Sequence, residues 1–259
     1  MIFFEIGFSN NNIIGAHSHN DYKNEYPLDA AFKHKFKSIE VDIFLIKNKL
    51  YVGHSWFELR KTKTIEKMYL DPLWKIYKEN NKSVYSDNSV YLLVDIKTNA
   101  LKTYKVLENI LKKYKPMLTH VTSDSVFEEA VTIILSGNRP PINYFDDYEY
   151  RNVFIDGRLG DIGEGISYKI MPLISSDWEQ TFTWDGAGIF PSAQYEILSE
   201  LVKSVHLEKK EIRFWASPDN QNTWGTLLLA DVDLINTDNI EQFKKFITLK
   251  NSDKDIIND

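Results

Sequence analysis

The stretch that decides the fold is Ser38-Ile-Glu-Val-Asp-Ile-Phe-Leu-Ile46, followed after two residues by Lys49-Leu-Tyr-Val-Gly-His54. Alternate residues of a strand share a face, so Glu40 and Asp42 point the same way, opposite their apolar neighbours. Two like charges on one buried face are costly unless a cation or a cationic side chain compensates them. The stretch therefore predicts a buried strand that carries acidic groups, with His54 at the end of the strand that follows.

Two further segments have the same plan. They are Ile13-Ile-Gly-Ala-His17-Ser-His19-Asn20 and Val90-Tyr-Leu-Leu-Val-Asp95-Ile-Lys97-Thr98. Each is a short apolar run that ends in polar, titratable side chains. Three strands that deliver histidine, paired carboxylates and an Asp/Lys pair to one rim indicate a hydrolytic metal site.

Short β-branched runs alternate with amphipathic segments along the whole chain. Strands are predicted at 12–17, 38–46 with its partner 50–54, 90–98, 131–136, 152–156, 169–175, 211–216 and 232–236. Helices are predicted at 27–36, 71–78, 101–114, 192–206, 222–230 and 240–248. Most strands are apolar on both faces, as in a parallel sheet covered by helices. We expect an α/β fold, one (β/α)₈ TIM barrel over residues 1–259 with a polar tail at 251–259, and chemistry at the carboxyl ends of its strands.

The composition of the chain argues against several classes of protein. The chain has 259 residues, a net charge of -6 and no cysteine. Scattered basic residues and a negative net charge argue against nucleic-acid binding, and thiol chemistry is excluded. No stretch approaches the roughly 20 apolar residues of a membrane span. Residues 1–8 make a poor signal peptide, so we expect a soluble protein, cytoplasmic or exported with a leader missing from this chain; its oligomeric state stays open.

Glu40, Asp42 and Asp95 form an all-oxygen set that suits a hard divalent cation, Mg²⁺ or Ca²⁺. The alternative is a solvent-facing polar face paired to lysines. Asp95 lies in an otherwise apolar run, where a buried carboxylate needs a partner. Lys97, on the same strand face, is either that partner or a ligand for a substrate phosphate.

His17 and His54 are the candidate acid–base pair, because imidazole can take or give a proton near pH 7. His19 is left open between a phosphate ligand, a neighbour of the metal and a side chain that orients the loop. Single histidines are more often packed or surface residues, which is our expectation for His34, His120 and His206.

Arg158 ends the fifth predicted strand and has a fork-shaped donor that suits an anion. A turn with an external salt bridge explains it equally well. Candidates for the wall of an apolar or sugar-binding pocket are Trp178, Trp184, Trp215 and Trp224. For Trp224, a place in a helix–barrel interface is the better interpretation.

At these residues the chain resembles the phosphatidylinositol phospholipase C-like and glycerophosphodiester phosphodiesterase superfamily of TIM barrels. It is most similar to the branch named after the fungal altered-inheritance-of-mitochondria protein 6. The matching stretches, in order, are Ala16-His-Ser-His-Asn-Asp-Tyr22, Pro27-Leu-Asp-Ala-Ala31, Ser38-Ile-Glu-Val-Asp42, Val52-Gly-His54, Leu93-Val-Asp-Ile-Lys97, Leu135-Ser-Gly-Asn-Arg-Pro140, Ile155-Asp-Gly-Arg158, Arg213-Phe-Trp-Ala216 and Ile235-Asn-Thr-Asp238.

The resemblance implies a phosphodiesterase core. His17 and His54 would be catalytic, the three carboxylates would hold a divalent metal, and Lys97 would support the phosphate. The spacing from His17 to Asn20 also looks like that of sphingomyelinase D relatives, whose products are cyclic phosphates. Typical glycerophosphodiesterases have His-Arg-Gly at the first strand, where this chain has Ser18 after the histidine, so the resemblance leaves the substrate alcohol open.

From the residues and the resemblance together we expect a metal-assisted phosphoric diester hydrolase, or a lyase-type enzyme that forms a cyclic phosphate. Its substrate would be a small-molecule or lipid phosphodiester of the glycerophosphodiester or phospholipid type. The residues expected to bind it are His19, Asn20, Lys97, Arg158 and Trp215. Two alternatives remain: a catalytically silent barrel that binds a phosphate or a sugar, and a glycoside hydrolase that uses paired carboxylates in an aromatic cleft.

Overall fold

The computed structural model describes residues 14–85, 89–122, 125–145 and 149–257. Its strands, in chain order, are β1 (Ile14–Ser18), β2 (Phe36–Ile46), β3 (Lys49–Val52), β4 (Val90–Ile96), β5 (His120–Thr122), β6 (Val126–Phe127), β7 (Val131–Gly137), β8 (Tyr150–Arg151), β9 (Phe154–Gly157), β10 (Leu173–Asp177), β11 (Glu211–Trp215) and β12 (Ile235–Thr237). The predicted strand residues 12 and 13, and the apolar start at 1–8, lie outside the described residues.

Eight of these strands form a closed parallel barrel. Neighbouring strands pair in parallel in the order β1, β2, β4, β7, β9, β10 and β11. On its other side, β1 pairs in parallel with β12. A parallel bridge between Arg213 and Leu234 brings β11 beside β12 and closes the ring. The predicted α/β TIM barrel is therefore confirmed. The antiparallel hairpin of β2 and β3 is also as predicted, whereas the small sheet of β5, β6 and β8 was not predicted.

The helices pack outside the barrel. They are α1 (Asp29–Lys33), α2 (Asp71–Glu79), α3 (Ala100–Leu111), α4 (Trp178–Thr181), α5 (Ser192–Leu207), α6 (Gln221–Leu229) and α7 (Ile240–Ile257). All but the short α4 were predicted, and α1 is shorter than expected. The last helix continues to Ile257, so the backbone of most of the predicted tail is helical. The assignment of all 259 residues to one domain stays a prediction.

The barrel interior has an apolar layer below a polar one. The apolar layer consists of one side chain from each of four strands and one from the residue directly before β12, namely Leu93, Ile134, Phe154, Leu173 and Leu234. Two residues further along β4, β7 and β12, on the same strand face, stand Asp95, Ser136 and Asn236. Apolar side chains therefore fill the barrel interior below the mouth, and polar side chains on the same strand faces line the mouth at the carboxyl ends of the strands. Active sites of such barrels lie at that end.

Candidate active site

The three predicted metal ligands lie together at the mouth. Glu40 and Asp42 share a face of β2, and Asp42 is directly opposite Asp95 of the neighbouring strand β4. One carboxylate oxygen from each of the three residues lies within 4.8 Å of the other two. Glu40 and Asp42 are buried and Asp95 is half-buried. Parallel pairing of two adjacent strands is thus enough to build the cluster that the sequence predicted.

The cluster fits a hard divalent cation. Asp42 Oδ1 is buried, and among the described residues it has no hydrogen-bond partner. Burial of an unpaired carboxylate oxygen is unfavourable unless a positive group approaches it. Three carboxylate oxygens are also the donors that Mg²⁺ and Ca²⁺ prefer. Glu40, Asp42 and Asp95 would hold such an ion, and the burial of Glu40 and Asp42 argues against a solvent-facing polar strand.

Lys97 joins two of these carboxylates. Its Nζ lies 3.1 Å from Asp95 Oδ1 and 3.3 Å from Asp42 Oδ2. Burial opposes the charge on this ammonium, but Asp95 and Asp42 raise its pKa above the usual value. Burial likewise raises the pKa of Asp95, against the pull of Lys97. Lys97 is therefore the charge partner of the cluster, and it is placed to meet an anion bound there.

Gly137, at the end of β7, forms part of the wall around Asp95. Its φ is +63°, in the left-handed region, and a Cβ at this position would lie 2.1 Å from Asp95 Oδ1. Any other residue would be strained in its backbone and would displace the carboxylate. Only glycine leaves Asp95 in reach of the other two ligands.

His54 is held at the mouth by the same acidic cluster. Its Nδ1 is 2.9 Å from Asp42 Oδ2, and its side chain is 53% exposed. The backbone N–H of His54 donates to Glu58 Oε2 at 2.7 Å, and Gly53 N–H donates to the carbonyl of Asp42. The imidazole is thus oriented through one nitrogen by a buried carboxylate while the ring remains open to solvent.

His17 is in a different environment. It is fully buried, with Nδ1 2.7 Å from Ser38 Oγ and Nε2 2.7 Å from Glu40 Oε2. The Arg213 guanidinium contacts the same Nε2 atom. Burial and the Arg213 charge lower the pKa of His17 to about 4, against the opposing effect of Glu40. His17 is therefore neutral at pH 7, and both of its ring nitrogens are engaged.

Arg213 is a buried residue of the site to which the sequence analysis assigned no role. Its Nη1 donates to Glu40 Oε2 at 2.8 Å and to Asn236 Oδ1 at 3.4 Å, and its Nε donates to Ser175 Oγ at 3.3 Å. Burial opposes the ionisation of Glu40, but Arg213 and His17 hold the pKa of that carboxyl well below its usual range. The signal was present: a cation in the middle of an apolar strand, two residues before Trp215, must face either the barrel interior or a partner.

The loop after β1 contacts Asp42 through Tyr22 and is joined to Asp238 through His19. The Tyr22 hydroxyl lies 2.8 Å from Asp42 Oδ2 and 2.6 Å from the side-chain carbonyl of Asn20. Asn20 also contacts the ring of His19, whose Nδ1 is 2.7 Å from Asp238 Oδ1. Burial opposes the charge on His19, but Asp238 raises its pKa above the usual value. Of the three alternatives for His19, its contacts favour the orientation of the loop.

Arg158 lies at the mouth, directly after β9. Its Nη1 donates to the buried Asp156 at 2.8 Å, and its guanidinium lies over the Trp215 ring at 4.9 Å. The salt bridge is thus internal to the barrel mouth, and the expected external turn is not what forms. Asp156 also accepts a hydrogen bond from Ser136 Oγ at 2.7 Å. Arg158 and Trp215 form a cation–aromatic wall beside the acidic cluster.

Other candidates take no part in the site. Trp178 and Trp184 are buried in an aromatic cluster with Phe182 and Phe190, so they belong to the core and not to a pocket wall. Trp224 packs on Phe243 of α7, in the helix layer as expected. The three remaining histidines contact groups away from the cluster: His34 contacts Glu241, His120 stacks on Phe127, and His206 contacts Asp233.

Comparison with known proteins places this chain in a family. The altered inheritance of mitochondria protein 6 homolog of Arthroderma benhamiae is 26% identical over 266 residues, which cover 90% of this chain and 83% of the relative. The altered inheritance of mitochondria protein 6 of Eremothecium gossypii is 27% identical, with 89% of this chain and 69% of the relative covered.

Solved structures agree on the fold. The crystal structure of a glycerophosphodiester phosphodiesterase from Parabacteroides distasonis superposes with a TM-score of 0.54, covering 91% of this chain and 97% of that chain at 13% identity. Identity this low bears on the fold alone. Residues 8–156, which include the strands that carry His17, Glu40, Asp42 and Asp95, match the family model of the AIM6-like phosphodiesterase domain. The match covers more than half of the chain, which therefore belongs to the AIM6-like phosphodiesterase family.

Proposed function

We propose that this chain is a metal-assisted phosphodiesterase that cleaves a glycerophosphodiester or phospholipid-type diester by acid–base catalysis with two histidines. One observation carries the proposal: Asp42 divides its two oxygens between two functions. Its Oδ2 orients His54 and pairs with Lys97, while its Oδ1 is buried and unpaired beside Glu40 and Asp95. A proton-transfer group and a cation-type cluster therefore share one carboxylate.

His17 and His54 divide the proton transfers. A neutral His17 would take the proton of the attacking hydroxyl at Nε2, in the tautomer whose Nδ1–H donates to Ser38 Oγ. The hydroxyl oxygen forms a bond to phosphorus, the bond from phosphorus to the leaving alcohol breaks, and His54 protonates the departing oxygen. Since Glu40 and the Arg213 guanidinium both contact Nε2 in this structure, the reaction requires that both contacts open when substrate is bound.

Charge at the site suits a monoanionic diester. Glu40, Asp42 and Asp95 outnumber the neighbouring cations Arg213 and Lys97 by one. A divalent cation held by Glu40, Asp42 and Asp95 would change this excess of one negative charge into a net positive charge of one, and it would stabilise the negative charge of the diester. Lys97 and Arg158 orient the anion from two sides of the mouth. A neighbouring substrate hydroxyl as nucleophile yields a cyclic phosphate, and water as nucleophile yields a phosphomonoester.

The test is a substrate panel of glycerophosphodiesters, lysophospholipids and inositol phospholipids, assayed with and without a chelator. We expect one class to be cleaved, with the activity abolished by the chelator and restored by Mg²⁺ or Ca²⁺. His54→Asn should reduce turnover by about 100-fold or more, because general acid–base catalysis contributes at least that much. Turnover that survives both chelation and His54→Asn would contradict the mechanism.

A second candidate is a catalytically silent barrel that binds a phosphate or a sugar. The engagement of both His17 nitrogens, deep in the barrel, favours it. Calorimetry, which measures ligand binding, and an assay for the product together separate the two functions. A silent barrel binds inorganic phosphate or a diester without any product appearing, whereas the enzyme consumes the diester, and only the enzyme must lose its function with the chelator.

A further inference from the structure

An aromatic pair projects into solvent beside His54. The loop of residues 53–63, here called the rim loop, follows β3 and contains a short helical turn at Trp56–Glu58. Within this turn Trp56 is 58% exposed and Phe57 is 91% exposed. Single exposed apolar residues are common, but two consecutive large aromatics at a loop tip next to a candidate active site indicate a contact surface.

The rim loop is built to hold these rings outward. Its two ends are joined by the Val52 N–H, which donates to the Lys63 carbonyl at 3.0 Å, and by the adjoining bridge between Tyr51 and Thr64. Trp56 packs one edge on Phe44 of β2 at 4.8 Å between ring centroids. The loop is closed at its base and supported from below, so the exposure of Phe57 is a property of the fold.

Basic side chains accompany the aromatic pair. Arg60, Lys61 and Lys63 are exposed, and the Arg60 guanidinium donates to the carbonyl of Phe57 at 2.9 Å. The one acidic residue of the loop, Glu58, accepts the backbone N–H of His54. The rim loop is therefore positive within a chain whose net charge is -6. Aromatic rings next to basic groups suit the boundary between lipid headgroups and acyl chains.

Other exposed apolar residues lie at the same end of the barrel. Tyr26 is in the loop that follows β1, and Ile189 is in the segment that follows β10. Loops after barrel strands surround the mouth. The aromatic tip, the basic residues and the candidate active site therefore face the same direction.

We propose that the rim loop docks the barrel mouth on an anionic lipid bilayer, with Trp56 and Phe57 in the interface and Arg60, Lys61 and Lys63 at the headgroups. A contact between the rim loops of two copies would bring like charges together, whereas the headgroups of an anionic bilayer complement the basic side chains. Docking places the mouth at the depth of lipid headgroups, where a diester substrate would be met.

The experiment measures sedimentation of the purified chain with phosphatidylcholine vesicles, with and without phosphatidylserine. We expect binding only with phosphatidylserine, weakened by salt. Trp56→Ser combined with Phe57→Ser should reduce the partition coefficient about tenfold or more, since burial of apolar surface drives interfacial binding. Charge removal by Arg60→Ala, Lys61→Ala and Lys63→Ala should cost about fivefold for each residue.

The matched control is Leu207→Ser combined with Leu229→Ser. These residues are 76% and 72% exposed, at the carboxyl ends of α5 and α6 and so at the opposite end of the barrel. The control should bind as the unaltered chain does, and thermal melts should show that all variants fold. Vesicle binding is measured without turnover, so failure of the chemistry proposed above leaves it untouched.

Three outcomes would overturn the proposal. The unaltered chain does not bind phosphatidylserine vesicles, the aromatic variant binds them as well as the unaltered chain, or the control loses binding to the same extent as the aromatic variant. Dimerisation in analytical ultracentrifugation that the aromatic variant abolishes would also overturn it, because the rim loop would then serve a second copy.

Discussion

Two buried carboxylates, Asp21 and Asp42, lie at the same mouth but are satisfied in opposite ways. Asp21 Oδ1 accepts from Ser18 Oγ at 2.8 Å and from Asn24 at 3.3 Å. Its Oδ2 accepts from the Leu28 N–H at 2.8 Å and from the Tyr69 hydroxyl at 3.0 Å. Both oxygens of Asp21 are thus paired, and the group fixes the loop between β1 and α1.

Asp42 has all of its described contacts on one oxygen. Its Oδ2 contacts Tyr22, His54 and Lys97, and Oδ1 has no hydrogen-bond partner in the part of the chain that the structure describes. A fully paired buried carboxylate is a structural element, whereas a half-paired one leaves an oxygen for something the fold does not supply. Asp21 therefore stabilises the loop at the mouth, whereas Asp42 keeps an oxygen available for a ligand.

Replacement of each aspartate by asparagine tests most directly whether the two carboxylates have different functions. In Asp42→Asn the amide nitrogen can occupy the unpaired Oδ1 position, so the fold should keep its stability and lose one unfavourable negative charge beside Glu40 and Asp95. Phosphodiester turnover should fall about 100-fold or more, with loss of Mg²⁺ or Ca²⁺ binding in calorimetry.

Asp21→Asn should have the opposite profile. No orientation of the amide satisfies donors on both sides, so unfolding in denaturant should show a loss of about 2–5 kcal/mol. Activity per folded molecule should remain close to that of the unaltered chain. If Asp42→Asn were the less stable variant and Asp21→Asn the inactive one, the assignment of the two carboxylates would be reversed.

Gly137 sharpens the same contrast on the β7 side. Gly137→Ala places a Cβ against Asp95 Oδ1 and strains a backbone with φ +63°. We expect cation affinity to fall about tenfold or more, together with a stability loss of about 1–2 kcal/mol or more. Gly163→Ala is the control, because its φ is +84° but nothing lies within 4 Å of the added Cβ. An equal loss of cation affinity in both variants would show that Gly137 does not act through Asp95.

Strand alternation explains how much of this site the sequence could predict. Glu40, Asp42 and Asp95 were found because residues two apart in a strand share a face and adjacent parallel strands carry that face to one rim. The barrel was predicted from the alternation of apolar strands with amphipathic helices, and its strands differ from the predicted ones by a few residues at their ends.

What the sequence could not give is which partner each polar group selects across the barrel. Arg213 lies on a strand more than 170 residues from Glu40, and the contact arises only when the barrel closes. Tyr22 and Asp21 lie in a loop whose path depends on the hydrogen bonds they make themselves. The burial of His17 is a further consequence of closure, since nothing in its neighbours distinguishes it from the exposed His54.

Acid titration tests the buried half of the site. The pKa of His17 is about 4 in the folded chain against an ordinary value of 6.5, so the unfolded chain binds the proton first as pH falls. The contribution of His17 to the free energy of unfolding should therefore fall as pH drops from 6.5 to about 4, by up to about 3 kcal/mol. Glu40 adds a loss of the same sign only below its ordinary value of 4.5.

The measurement is chemical denaturation at a series of pH values. His17→Asn should flatten the slope between pH 6.5 and 4, whatever its effect on stability at higher pH. His19→Gln should retain the slope, because the pKa of His19 is shifted upward, and its stabilising effect is lost only as pH rises through that raised pKa. A slope that His17→Asn leaves unchanged would mean that the buried imidazole is not the group that titrates.

The smallest expected effect is a difference between two tyrosines, each of which contacts a buried carboxylate. Tyr22 contacts Asp42 and Tyr69 donates to Asp21, and both rings are buried. Replacement of either by phenylalanine removes one hydrogen bond to a charged group, so both variants should lose about 1–3 kcal/mol of stability. Only Tyr22→Phe should also weaken Mg²⁺ or Ca²⁺ binding and shift the pH profile of turnover, because Asp42 then has one fewer contact to hold Oδ2 towards His54 and Oδ1 towards the cluster. Equal cation affinity in the two variants would mean that Lys97 and His54 suffice to orient Asp42, and that the tyrosine serves only the packing of the loop after β1.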